Sequence, residues 1–436
     1  MNADRRVLVI SYYYPPYGSV GATRVSKMTR YLADHGWQAT VLTVAGDDRP
    51  AEVDIEIPAS NIHRVAQQFD VMRGPRTLLG RKSVEGRRFS THRRWKSSAL
   101  WHVGMVYRNL VCLPDPQIGW LRPAQREAMR LVNDVRPHVL LSSSFPNTSH
   151  LIGARVAASS GVPWVAELRD LWTDNHNFRR VEPLRSVERW MEERVLRRAN
   201  ALVTVSEVWA HHLAQRFGRP VDVVPNGFDP ADYPPRAVRT DGRFTLVYTG
   251  MLYHGKQNPA PLLRAIGAMA SAREITPATF QLQLVGHYLG PMLQLAESMR
   301  LLDFVSADPP VPHREALRRQ VDATALLFLD WADGTSTGWY SAKIYEYLGA
   351  RRPILSVGPR DSVVAKLLAD TGAGVAAPTA DEITGVLRQW IAEFASTNTV
   401  ASGSNPATLA AFQRQAAARK MAALLDRVHA ESGGRR

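Results

Sequence analysis

The sequence predicts an α/β protein of two doubly wound domains, each built on a parallel sheet, with the two sheets facing a cleft. Three observations carry that expectation. The chain has 436 residues, more than one hydrophobic core ordinarily serves. Short apolar runs of strand length alternate with helical patterns almost from end to end, the signature of strands joined by helical crossovers. Residues 226–243, beginning Asn226-Gly-Phe-Asp-Pro, form a polar, turn-rich break near the middle. The break divides the chain into Rossmann-like domains at 1–225 and 226–406, followed by a helical pattern in 407–436.

Each element has its own signal. Residues 7–11 read as a buried strand, too short for the apolar core of a signal peptide and leading straight into Tyr12-Tyr-Tyr-Pro-Pro16. A Pro/Gly loop, a helix ending at Gly36 and a strand at 40–44 follow. Further strands fall at 138–141, 164–167, 201–205 and 221–224, separated by helices over 148–159, 184–198 and 207–217. The second half repeats the logic, with strands at 245–249, 281–285, 325–329 and 353–357. Its helices centre near 264, 295, 317, 345 and 366, and a long helical pattern runs over 407–428.

Hydrophobic residues make up 45% and charged residues 22%, the balance of a soluble globular chain. No window approaches about 18 uninterrupted apolar residues, so no transmembrane helix is expected. A single cysteine, Cys112, excludes an internal disulfide and fits a reducing cytosol. The net charge is +14, unevenly spread. Residues 1–225 hold 32 Lys and Arg against 21 Asp and Glu, a balance of +11; the remainder hold 22 against 19, a balance of +3. That excess suits anionic partners: phosphate groups, an acidic membrane surface or nucleic acid. It is densest between Asp70 and Lys96, where nine basic residues, Arg87, Arg88, Arg93 and Arg94 among them, meet Glu85 alone. An apolar helix with Trp101 and Tyr107 follows. The segment 70–112 reads as a surface loop and core helix, as a surface element for anionic lipid or a polyprenyl-phosphate substrate, or, last, as a nucleic-acid contact.

The most informative stretch is 336–359. A small-residue loop leads through Ser341 into a helix with Lys343 in its first turn and Glu346 one turn later on the same face. A helix N-terminus offers free N–H groups and a positive dipole end to phosphate, and Lys343 adds a cation. A carboxylate one turn on can accept hydrogen bonds from a vicinal diol. Phosphates with a ribose diol describe a nucleotide; the alternative is a solvated i, i+3 ion pair. Three other places sit at the carboxyl ends of strands. Gly18 and Gly21 follow the first strand without the GxGxxG spacing and allow either close ligand approach or a plain turn. Glu167, Arg169 and Asp170 end a buried strand, as cleft-facing groups or as a structural pair. Gly250 ends the first strand of the second domain, and Lys256 follows within reach of a phosphate or as a surface lysine. No cluster has metal-ligand spacing, and no GxSxG or Walker loop is present.

Taken in order, these segments resemble the retaining glycosyltransferases of family four, which have the GT-B fold. The resemblance spans nearly the whole chain. It rests on Tyr14-Pro-Pro-Tyr-Gly18 and the helix after it, Pro114-Asp-Pro116 with Gly119-Trp120, and Glu167-Leu-Arg-Asp-Leu-Trp172. It continues through Val205-Ser206, Pro225-Asn-Gly-Phe-Asp229, Tyr248-Thr-Gly250 with Lys256, and Lys343-Ile-Tyr-Glu346-Tyr-Leu-Gly-Ala-Arg-Arg-Pro353. The branch it looks most like builds bacterial cell-surface polysaccharides.

The resemblance implies a nucleotide-sugar donor in the second domain. Glu346 would hold the ribose hydroxyls, Lys256 would neutralise the diphosphate, Gly18 and Gly21 would lie over the diphosphate and acceptor, and the C-terminal crossover helix, 407–428, would return to the first domain. The chain departs from the family at three places. Gly338 stands where a glutamate often precedes Glu346 by eight positions, Met251 where an arginine follows the glycine, and Leu168-Arg169-Asp170 where a histidine is common. The expected activity is transfer of a sugar from a UDP- or GDP-sugar to a hydroxyl of a lipid-linked or oligosaccharide acceptor. No cofactor or metal is expected, Arg169 and Asp170 are the candidate catalytic residues, and the setting is cytoplasmic, on the inner face of the plasma membrane. Rival readings are a sugar-nucleotide epimerase of the same fold and a noncatalytic binder of anionic polymer. Nucleic acid is not an expected partner, because no RRM, KH or zinc-finger pattern is present.

Overall fold

A computed structural model describes residues 5–46, 54–69, 112–175, 180–237, 242–253, 255–331, 338 and 340–433. The basic segment, the apolar helix expected over 97–114 as far as residue 111, and positions 336, 337 and 339 of the loop before Lys343 lie outside the described residues; residues 112–114 form bends rather than the end of that helix. The chain divides into two compact units, Met1–Pro225 with Ala417–Arg436, and Asn226–Ala416.

In the first unit the described strands are β1 (Arg5–Ser11), β2 (Trp37–Val44), β3 (Ile62–Val65), β4 (Val139–Ser144), β5 (Trp164–Leu168), β6 (Ala201–Thr204) and β7 (Asp222–Val223). They lie in the order β3-β2-β1-β4-β5-β6-β7, all parallel. Both faces of the sheet are covered, so its central strands are apolar on both sides rather than alternating. Along β1 the side chains still divide by the period of two. Val7 and Val9 pack with Val25 and Met28 of α1 (Val20–Leu32), whereas Leu8 and Ile10 pack with residues of α2 (Leu121–Val135) and α3 (Thr148–Ser160). The Ser19 hydroxyl caps α1 by accepting from the Ala22 N–H at 3.0 Å. Helices α4 (Leu184–Leu196) and α5 (Glu207–Phe217) complete the layer. Ser206 caps α5, and Gly218 ends it at φ +67°, where a side chain would be strained.

The second unit repeats the plan. Strands β8 (Phe244–Met251), β9 (Phe280–His287), β10 (Val305–Asp308), β11 (Ala325–Leu329), β12 (Ile354–Val357) and β13 (Gly374–Ala376) run parallel in the order β10-β9-β8-β11-β12-β13. Leu246 and Tyr248 face one core, with α6 (Ala260–Ser271), α7 (Gly290–Ser298) and α11 (Ala380–Thr397). Val247 faces the other, with α8 (His313–Asp322), α9 (Ala342–Ala350) and α10 (Val363–Thr371). No helix of the described residues is long and apolar enough to cross a membrane.

Several elements go beyond the sequence expectation, each for a visible reason. β3, β10 and β13 are short edge strands, partly exposed, and so lack a continuous apolar run. In α2 only Leu121, Ala124, Ala128 and Leu131 are buried, a narrow stripe diluted by charge. The tail is two helices, α12 (Pro406–Ala410) and α13 (Arg414–Gly433), rather than one pattern from 407. The break falls where the Phe228 N–H donates to the Phe412 carbonyl at 3.0 Å and the Arg414 N–H donates to the Phe228 carbonyl at 2.9 Å. Gly227 permits this approach, since a Cβ there would stand 2.3 Å from the Phe412 carbonyl oxygen. From Ala417 onward α13 packs on the first sheet: Ala418, Met421 and Leu425 join Val7, Val9 and Val41 in one core. The Trp37 indole N–H donates to Asp426 at 2.8 Å.

Candidate functional site

In the second unit the winding reverses between β8 and β11, and ligands of doubly wound sheets bind outside the strand ends at such a point. Gly250, next to last in β8, has φ +111°, and a Cβ there would lie 2.9 Å from Lys343 Cε and 3.2 Å from its Nζ. The space a side chain would fill thus belongs to Lys343. Gly286 on β9 has φ +146° and serves the same end, for its Cβ would overlap the Gly250 carbonyl. Lys343, in the first turn of α9, places Nζ 3.8 Å from the centre of the Tyr248 ring. The Tyr248 hydroxyl donates to the Met251 carbonyl at 2.6 Å, which holds the ring under the ammonium. Burial pushes Lys343 down to about 7, against the opposing charge of Glu346. Ser341 is the N-cap residue, but its side chain makes no capping hydrogen bond.

One turn on, the Glu346 carboxylate is held from α8. His313 Nε2 donates to Oε1 at 3.1 Å, and Gln320 Nε2 donates to Oε2 at 3.3 Å. Gln320 is fully buried and also donates to the Thr249 hydroxyl at 2.9 Å. The Thr249 N–H in turn donates to the Tyr347 hydroxyl at 2.9 Å. The Glu346 side chain nevertheless keeps 30% of its surface exposed, so a rigid buried scaffold presents one open carboxylate edge. Partial burial pushes Glu346 up, but the bonds and charges of His313, Gln320 and Arg414 outweigh it and hold the carboxyl below its usual value. His313 is pushed up by its bond to Glu346. Lys256 lies elsewhere at the strand ends, with Nζ 3.8 Å from the centre of the Trp331 ring just past β11. The second unit therefore brings Gly250, Lys343 and Glu346 into one group and seats Lys256 on Trp331.

The first unit has its own reversal between β1 and β4, and the loop residues converge there. Gly18 directly precedes the Ser19 cap of α1. A Cβ at Gly21 would stand 2.0 Å from an Arg169 guanidinium nitrogen, so Gly21 and Arg169 are in direct contact. Arg169 donates to the Ser144 carbonyl, and at 3.0 Å to the Phe145 carbonyl, at the end of β4. Burial lowers the Arg169 pKa. Asp170 is half-buried; burial raises its carboxyl against the charge of Arg169.

A buried structural ion pair of this unit joins Glu167 to Arg24. Arg24 donates to Oε1 from Nη2 at 2.7 Å and from Nε at 3.0 Å, and to the Val224 and Pro225 carbonyls at 2.7 and 2.8 Å. The Ser143 hydroxyl completes the set at 2.5 Å from Oε2. Arg24, His313, Gln320 and Tyr248 were not among the sequence candidates. The only local cue for His313 is its place at a helix start just after Pro309-Pro310-Val-Pro312.

Residues 21–227 match the family described as Glycosyl transferase 4-like domain. The whole chain is similar in structure to Anabaena Alr3699/HepE, solved in complex with UDP-glucose. The TM-score is 0.62 at 13% identity, covering 97% of this chain and 99% of that one. It is similar to sucrose-phosphate synthase from Thermosynechococcus elongatus, with TM-score 0.59 and 12% identity over 98% and 100% of the two chains. It is also similar to the lipopolysaccharide outer core galactosyltransferase WaaB in its apo form, with TM-score 0.52 and 11% identity over 95% and 98%. No curated protein matches the sequence. At such identities the structures speak for the fold, which is GT-B. With the domain match, the chain is an enzyme of the glycosyltransferase class.

Proposed function

We propose that the enzyme moves a sugar from a UDP- or GDP-sugar to a hydroxyl of a lipid-linked or oligosaccharide acceptor in polysaccharide synthesis, with retention of anomeric configuration. One observation carries the donor assignment: Lys343 in the first turn of α9, beside Gly250 at the reversal of the second sheet, with the open edge of Glu346 one turn further. The diphosphate lies against Lys343 and the helix N-terminus, and the ribose diol donates to Glu346. The structure of HepE with UDP-glucose supports such a donor, and the activity in the name of WaaB supports a glycan acceptor.

In the reaction the bond between the anomeric carbon and the diphosphate oxygen breaks, and its electron pair leaves with the nucleoside diphosphate. Lys343, Lys256 and the α9 dipole stabilise that charge without a metal. The acceptor oxygen bonds to the anomeric carbon and gives up its proton to the Asp170 carboxylate. Asp170, its carboxyl raised by burial, is the group assigned to the acceptor hydroxyl, with Arg169 beside it. Gly21 leaves the loop room for the Arg169 guanidinium beside it. The +11 balance of residues 1–225 supports a position on the inner, anionic face of the plasma membrane.

Thermal unfolding with UDP, GDP and their sugars tests the donor assignment. A ligand at 100 times its Kd adds about 2.7 kcal/mol of stability, a clear rise in Tm. An unchanged Tm with every nucleotide at millimolar concentration overturns it.

A further inference from the structure

Helix α4 buries two of its three acids. Glu188 pairs with Arg180 at 3.1 Å with 7% of its side chain exposed, and Glu192 pairs with Arg216 at 2.9 Å with 1% exposed. The outer face is left cationic and partly apolar. Trp190 is 59% exposed, Val187 43%, and Val181 just before the helix 65%. Arg189, Arg194, Arg197 and Arg198 are exposed around them. Positions 187, 190, 194 and 197 follow the three- and four-residue steps of one helix stripe. The Arg194 guanidinium lies 5.4 Å from the centre of the Trp190 ring. Among the described residues, Glu182, Glu193 and Asp174 also lie near this stripe, and each is engaged. Glu182 accepts from Ser186 at 2.7 Å, Glu193 faces Arg216 at 3.6 Å, and Asp174 gathers Arg185, Arg189, His212 and Arg216.

A tryptophan held in water among exposed arginines and small apolar side chains has the make-up of a helix lying in a bilayer interface. The indole sits at headgroup level there, and the guanidinium groups meet lipid phosphates. We propose that the outer face of α4 docks the enzyme on anionic phospholipid bilayer. The proposal rests on the peripheral placement given above and assigns it to a surface distinct from segment 70–112. Segregation of charge across one helix is its warrant: local pairing alone would leave Glu188 and Glu192 on the outside, beside the arginines.

The test is co-sedimentation of the full chain with phosphatidylglycerol-containing and with pure phosphatidylcholine vesicles, at low and high salt. Three forms are compared: wild type, Trp190→Ser with Val187→Ser, and Arg189, Arg194, Arg197 and Arg198 all changed to Gln. Wild type is expected to sediment with the anionic vesicles and to be released by salt. Each variant should lose most of the bound fraction while keeping its Tm and its affinity for UDP- or GDP-sugar. Quenching of fluorescence by brominated lipid, present in wild type and reduced in Trp190→Phe, reads the same contact without a disruptive change. Failure of wild type to bind anionic vesicles overturns the peripheral placement itself. Equal binding and equal quenching of wild type and variants overturns the role of α4 while leaving that placement standing. If the variants instead lose self-association in sedimentation equilibrium, the face is a protein contact.

Discussion

Lys343 is expected to make donor affinity depend on pH. Burial beside Tyr248 pushes its ammonium down to about 7, while Glu346, one turn away, pulls the other way. A diphosphate seated on Lys343 favours the protonated form, so its pKa in the complex rises well above 7. The sign follows from linkage. Binding is strongest below the empty-site pKa, where the proton is already present. It weakens as pH rises through 7, where the proton must be taken up from solution. With a pKa of about 7, the fraction protonated falls about tenfold between pH 6 and pH 8, so affinity falls about tenfold, or about 1.4 kcal/mol. A UDP- or GDP-sugar is the right probe because its diphosphate diester does not titrate in this window, as the terminal phosphate of UDP or GDP does. Calorimetry at pH 6, 7 and 8 in buffers of different ionisation heat measures both Kd and the protons taken up. Lys343→Arg keeps the charge but does not deprotonate, so it should flatten the profile. His313 also faces Glu346, with its pKa raised, and His313→Gln separates its contribution. A wild-type Kd flat from pH 6 to pH 8, with no proton uptake at pH 8, refutes the placement of the diphosphate on Lys343.

Four further outcomes are expected. Glu346→Ala removes a charge-assisted ribose bond and should weaken donor binding by about 1.5–3 kcal/mol, roughly 10- to 150-fold, by calorimetry. Asp170→Asn should lower kcat by about 100-fold or more with donor Kd unchanged, and equal loss of both would move Asp170 to the donor side. Dialysis against EDTA should leave turnover intact, since Lys256, Lys343 and α9 supply the countercharge; loss of turnover restored by Mg²⁺ or Mn²⁺ would reject that role. Arg24→Met strands the Glu167 carboxylate in the core and should cost about 3–5 kcal/mol in urea denaturation, with wild-type stability as the contrary result.

The two wound sheets were legible in the sequence because their central strands are buried on both faces and leave unbroken apolar runs, as at Val7 to Ile10. The edges were not, since Ile62–Val65 and Gly374–Ala376 need be apolar on neither side. The nearness of Lys343 to Glu346 was also legible, for it follows from helical spacing alone. Sequence determined that a cation and a carboxylate would share one helix face at a helix start. Tertiary structure alone decided what each rests on. It put Tyr248 and Gly250 under Lys343, and turned His313 and Gln320 of α8 onto Glu346. It set Arg169 against Gly21 and gave Glu167 to Arg24, a partner 143 residues away. Periodicity reports only the face a side chain occupies on its own element. Which groups meet across elements depends on strand order, and parallel strands joined by crossovers bring together residues whose separation in the chain carries no trace of the contact.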